Sequence, residues 1–96
     1  MKFQALYTEI VESFQVEGIH IIRENYLDYP EGESNIYAKD QEGQIIWFAE
    51  LPYEKDCYSN DMIVRKDGLI QSSTWNGFTV LVDIANGKII ESKFIK

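Results

Sequence analysis

The sequence predicts an all-β domain of two four-stranded antiparallel β-meanders, blade-like in form, packed as a sandwich or an open barrel. Three observations predict it. One phrase occurs twice: Asp-Gln-Glu-Gly-Gln-Ile-Ile-Trp from Asp40 to Trp47, and Asp-Ile-Ala-Asn-Gly-Lys-Ile-Ile-Glu from Asp83 to Glu91. Each copy follows an apolar-rich run, Asn35–Lys39 or Phe78–Val82, and the aspartates lie roughly 43 residues apart, the length of a four-strand unit. Turn signals recur at short intervals, at Glu17-Gly18, Glu31-Gly32, Glu42-Gly43, Asp67-Gly68, Asn76-Gly77 and Asn86-Gly87. Between them lie runs rich in Ile, Val, Tyr, Phe, Trp and Thr, which suit a pleated, half-buried surface.

Residues 1–16 admit two readings. Phe3, Leu6, Tyr7, Ile10 and Phe14 fall at the spacing of a short N-terminal helix, whereas Ile10, Phe14 and Val16 also alternate with polar neighbours. A strand from Glu9 to Val16 is favoured, because a Glu17-Gly18 hairpin then sets Glu12 opposite Arg23, a favourable cross-strand pair. Strands follow at Ile19–Arg23, Asn35–Lys39 and Gln44–Phe48. The intervening Tyr26–Ser34 stretch contains Pro30, which cannot donate to a ladder, and so reads as a loop or edge. Leu51–Asn60 mixes Pro with polar and aromatic residues and reads as the linker between the units.

In the second unit, two-residue turns at Asp67-Gly68 and Asn76-Gly77 would pair Lys66 with Leu69 and Trp75 with Phe78. One face would then carry Met62, Val64, Leu69, Trp75, Phe78, Val80 and Val82, and the other Ile63, Ile70, Thr74 and Leu81. Apolar residues on both faces predict a sheet covered at least partly on each side. The chain is expected to form one domain, residues 1–96, with repeat units at about 9–50 and 60–96.

The repeated phrase resembles the blade motif of the quinoprotein-like β-propellers, in which a strand ends in Asp, a glycine turn follows and the next strand often closes with Trp. The chain is also similar to small uncharacterised bacterial proteins carrying the same phrase. The propeller resemblance implies a blade-like meander. It implies no quinone cofactor here, because no cofactor-binding set accompanies it, and two units fall short of the four or more blades that close a ring. The second copy also departs from the pattern, with Glu91 in the place of the closing Trp. A two-sheet sandwich or open barrel, with room for completion by a homodimer, is the more economical outcome.

Composition narrows the function. With 45% apolar and 14% aromatic residues, the chain can fill a core. Sixteen acidic against nine basic residues give a net charge of −7, which repels nucleic acid and favours a basic protein as partner. The single cysteine forbids an intrachain disulfide and points to a reducing cytoplasm. Neither a secretory leader nor a membrane-spanning run is apparent, so a cytoplasmic protein away from membranes is expected.

No catalytic signature, metal motif or cofactor fingerprint appears, and the expectation is a non-enzyme without cofactors. His20 and Cys57 each lack the companions that a metal site or a nucleophilic thiol requires. Asp40 and Asp83 read as hairpin fasteners, whose side chains accept from turn N–H groups. Acids and tyrosines coincide in two loops: Tyr26, Asp28, Tyr29, Glu31 and Glu33, then Tyr53, Glu54, Asp56, Tyr58 and Asp61. Tyrosines anchor interfaces at small entropic cost and acids steer a basic partner toward them. These ten residues are the expected partner-binding set of a small interaction module, conceivably an immunity-type inhibitor. The alternative is a small-ligand or carbohydrate-binding module that stacks its ligand on Trp47, Trp75 or exposed tyrosines.

Overall fold

The computed structural model describes residues 4–94 and is all-β. Two four-stranded antiparallel meanders follow one another: β1 (Ile10–Val16), β2 (Ile19–Glu24), β3 (Ile36–Lys39) and β4 (Ile45–Phe48), then β5 (Ile63–Val64), β6 (Leu69–Ser73), β7 (Phe78–Asp83) and β8 (Ile89–Phe94). Strand order within each sheet is the order of the chain. The sheets stack face to face without closing into a barrel. Residues 4–9 form bends rather than a helix, and Met1–Phe3 lie outside the described residues. No helix among the described residues is long and apolar enough to cross a membrane.

The core lies between the sheets. Ile21, Ile36, Ala38 and Trp47 from the first sheet meet Ile70, Val80 and Val82 from the second, with Tyr58, Met62 and Ile84 from the connections. The first hairpin follows the sequence expectation: Val16 pairs with Ile19 across a two-residue turn, and Glu12 stands opposite Arg23. Arg23 Nε donates to Glu12 Oε1 at 2.6 Å, and the same oxygen accepts from Met62 N–H at 2.7 Å. One partly buried pair thereby ties β1 and β2 to the entry of β5.

The turns of the second sheet differ from expectation. Arg65 N–H donates to Leu69 O and Thr74 N–H to Phe78 O, so each loop has three residues and each register slips by one. A two-residue type I′ turn needs positive φ at both central residues. Asp67 and Asn76 do not adopt it, while Gly68 and Gly77 take φ of 83° and 94° at the last loop position. The slip turns β6 over relative to its neighbours, while Met62, Val64, Val80 and Val82 keep the shared face expected of them. Ile70 and Thr74 turn inward and are buried, while Leu69 is half-buried and Trp75 leaves the sheet for solvent.

The fasteners behave as the repeat suggested. Asp40 Oδ1 accepts from the N–H groups of Glu42 and Gln44, both at 2.9 Å, and Asp83 Oδ1 from that of Ala85 at 2.9 Å. The copies part company at the closing residue. Trp47 is buried against the β7–β8 turn, and its Nε1 donates to Ile84 O at 2.9 Å. Glu91, its counterpart, lies exposed on β8.

Candidate functional site

A meander sends alternate connections to the same end, and here the β2–β3, β4–β5 and β6–β7 connections meet and lock together. Asn35 is the suture. Its fully buried amide donates to Glu24 O and Tyr58 O and accepts from Tyr58 N–H, each at 2.8 Å. The Tyr58 hydroxyl donates to Glu50 O, and Tyr58 forms an antiparallel bridge with Thr74. Trp75 N–H donates to Cys57 O at 3.0 Å, and Asp56 Oδ1 accepts from the N–H groups of Cys57 and Asn76. A loop end with this many internal bonds is held close to one shape.

On its outside, the rings of Tyr26 and Trp75 lie 5.7 Å apart and 31° from parallel, with Trp75 65% exposed. Leu27 and Tyr53 are also exposed. Asp28, Glu31, Glu33 and Glu54 face solvent in the same two loops. Glu31, Gly32, Glu54 and Lys55 line a shallow depression where the loops touch. An aromatic pair within an acidic field is the result.

The structure thus unites six of the ten expected residues on the surface of this end: Tyr26, Asp28, Glu31, Glu33, Tyr53 and Glu54. Four are corrected. Tyr58 is fully buried because it plugs the core, and Asp56 is 4% exposed because it caps the turn at Asn76. Tyr29 is half-buried, edge-on to Tyr7 with ring centroids at 5.2 Å. Asp61 is exposed but is engaged with Arg23, Nη2 to Oδ1 at 3.0 Å. Trp75 was missed as a member of this set, because the two-residue turn reading placed it on a sheet face. Trp47 is removed from the stacking candidates by its burial.

The family comparison covers the whole of the described chain. A family model, Domain of unknown function (DUF7957), matches residues 4–94. The chain belongs to the DUF7957 family. No curated protein matches it. The matched span includes both meanders and every loop of the candidate site, so the DUF7957 unit is the pair of sheets rather than a single blade.

Beneath the loop end, the DUF7957 domain holds a fully buried carboxylate that the sequence did not advertise. Glu24, at the end of β2, accepts from three consecutive backbone N–H groups: Leu6 at 2.6 Å, Tyr7 at 3.0 Å and Thr8 at 2.8 Å. The Tyr37 hydroxyl adds a fourth bond at 2.5 Å. Burial pushes the Glu24 carboxyl up, but the Tyr37 hydroxyl and the three N–H groups outweigh it and hold it below the ordinary value. Burial, reinforced by Glu24, pushes the Tyr29 and Tyr37 phenols up. Burial and neighbouring Asp56 push the Cys57 thiol up as well, which makes it a poor nucleophile.

The acidic loops do not assemble a metal centre. Among the described residues no three His, Cys, Asp or Glu side chains converge on a point that could hold an ion. A cleft of about 600 Å³ opens between the sheets at the β1–β2, β5–β6 and β7–β8 turns, with Val16, Ile19, Ile46, Leu69 and Ile84 in its lining. Three of its charges are already engaged within the chain: Arg65 with Asp67 at 2.7 Å, and Asp83 with Ala85 N–H. Recognition chemistry is more concentrated at the loop end.

Proposed function

We propose that this DUF7957 domain is a small acidic interaction module whose loop end docks a basic protein, in the manner of an immunity-type inhibitor covering a cationic toxin domain in the cytoplasm. The observation that carries the reading is the exposed Trp75 ring laid against half-buried Tyr26, in loops that also present Asp28, Glu31, Glu33 and Glu54. Aromatic rings supply contact area with few rotamers to freeze, and they offer π faces to lysine and arginine. The acids accelerate encounter with a cationic surface and reject anionic ones. Stiffness adds to this, since a loop end already ordered by Asn35 and Asp56 loses little entropy on binding.

A titration of a fluorescently labelled arginine- and lysine-rich peptide with the full chain, followed by fluorescence anisotropy, tests the reading. Binding is expected to weaken about tenfold between low and physiological salt, as screening shortens the reach of the acids. Trp75→Ala and the double reversal Glu31→Lys/Glu54→Lys should each lower affinity by a similar factor. Affinity unmoved by both variants and by salt would sink the proposal. The second reading, a carbohydrate platform, rests on the same exposed indole. It predicts that Trp75 fluorescence responds to neutral oligosaccharides with no dependence on salt.

A further inference from the structure

The outer edge of β8 has no partner strand among the described residues, and it is written as a self-complementary sequence. β8 bonds to β7 on one side only, and Ile90 through Phe94 are all exposed. Ile90 and Phe94 are 57% and 60% exposed, so the edge offers large apolar side chains that its own two sheets leave mostly uncovered. The free stretch has a defined start, because Glu50 Oε1 accepts from Ile89 N–H at 2.7 Å and occupies the edge there. Beyond that point the strand reads Ile90-Glu91-Ser92-Lys93-Phe94, with Ile90 the extra residue of a bulge against β7 and a regular ladder from Glu91 onward.

We propose that this edge is a homodimer interface, in which β8 of one chain pairs antiparallel with β8 of a second copy about a twofold axis at Ser92. In that register Glu91 stands opposite the second copy's lysine at position 93, and Lys93 opposite its glutamate at 91. Ile90 meets the second copy's phenylalanine at 94. Every cross-strand pair is matched in kind, charge to opposite charge and apolar to apolar.

The charges also select the register. Sliding the centre to Glu91 sets two glutamates face to face, and sliding it to Lys93 sets two lysines so. A centre between residues would join the inner face of one sheet to the outer face of the other. Edges guarded against pairing carry charges that repel in every register, commonly lysine. This edge carries one of each sign two residues apart, so a single register is attractive. The result is one eight-stranded sheet across two chains, and it leaves the Tyr26–Trp75 pair of each chain outside the strand contact.

Sedimentation equilibrium of the full chain over about 5 to 500 μM, the range expected of a small interface, tests this. The mass should rise from the 11.2 kDa of one chain toward twice that value. Glu91→Lys and Lys93→Glu should each weaken association at least about tenfold, since either sets like charges opposite each other. The double variant E91K/K93E restores complementarity and should restore the dimer. That rescue separates pairing at this edge from a general loss of folding. A wild-type chain that keeps the mass of a monomer throughout the range overturns the proposal, and so does a dimer indifferent to the single reversals.

Discussion

Glu24 shows how much one side chain can organise. Its two oxygens collect bonds from Leu6, Tyr7, Thr8 and Tyr37, and they draw the segment before β1 over the outer face of the first sheet. That cover explains why Ile22 and Tyr37, on the face away from the core, are fully buried. Glu24→Gln keeps the shape but points an amide at N–H donors, and it should cost about 2–4 kcal/mol of stability. The pH dependence has a definite sign. Because the folded carboxyl is more acidic than the unfolded one, its contribution is complete above the ordinary value of 4.5 and is lost as pH falls through the lower folded value. Urea midpoints measured from neutral pH down to pH 3 should therefore fall more steeply in the wild type than in Glu24→Gln. Parallel curves would refute the assignment. None of this was legible in the sequence, because Glu24's partners are mostly backbone N–H groups, which every residue but proline carries and no motif marks.

At the scale of elements, the repeated phrase told most. It located the β3–β4 and β7–β8 hairpins and the fastening roles of Asp40 and Asp83, and turn chemistry with the Glu12–Arg23 pair located β1 and β2. The register of β5–β6–β7 was not legible. Asp-Gly and Asn-Gly fit two-residue and three-residue loops alike, and the choice fell to burial, which favours Ile70 inside over Leu69. The repeat also hid a contrast that only packing exposes. Gly87 lies beneath Trp47 of the first copy, where a Cβ would come within 2.6 Å of Cε3 and 2.9 Å of Phe48 O. Its φ is +76°, whereas Gly43 at the matching turn has φ of +83° and open space around it. Gly43→Ala should therefore cost only the left-handed backbone strain, about 1–2 kcal/mol. Gly87→Ala adds a clash with an indole and a carbonyl, and the total should reach about 3–5 kcal/mol. Thermal melts of the two variants check the ordering. Equal losses would show that the Trp47 contact does not anchor the sheets.

For the molecule as a whole, the two sheets should stand or fall together. Each presents an inner face that is apolar and useless alone: Ile21, Ala38 and Trp47 on one, Ile70, Val80 and Val82 on the other. Both flanks of the stack are stitched, through Glu12, Arg23 and Met62 N–H on one side and Trp47 and Glu50 against the β7–β8 turn on the other. A chain of 96 residues has little stability to spare, and half of it has less than one core requires. The repeat could suggest two independent blades, but the shared core predicts one cooperative unit. Trp75→Phe leaves Trp47 as the sole indole, a reporter seated between the sheets. In that variant, urea unfolding followed by Trp47 fluorescence and by far-ultraviolet circular dichroism should give a single shared midpoint. A fluorescence change that precedes loss of strand signal would mean that the sheets part before they melt. Cooperation would then belong to each meander rather than to the pair.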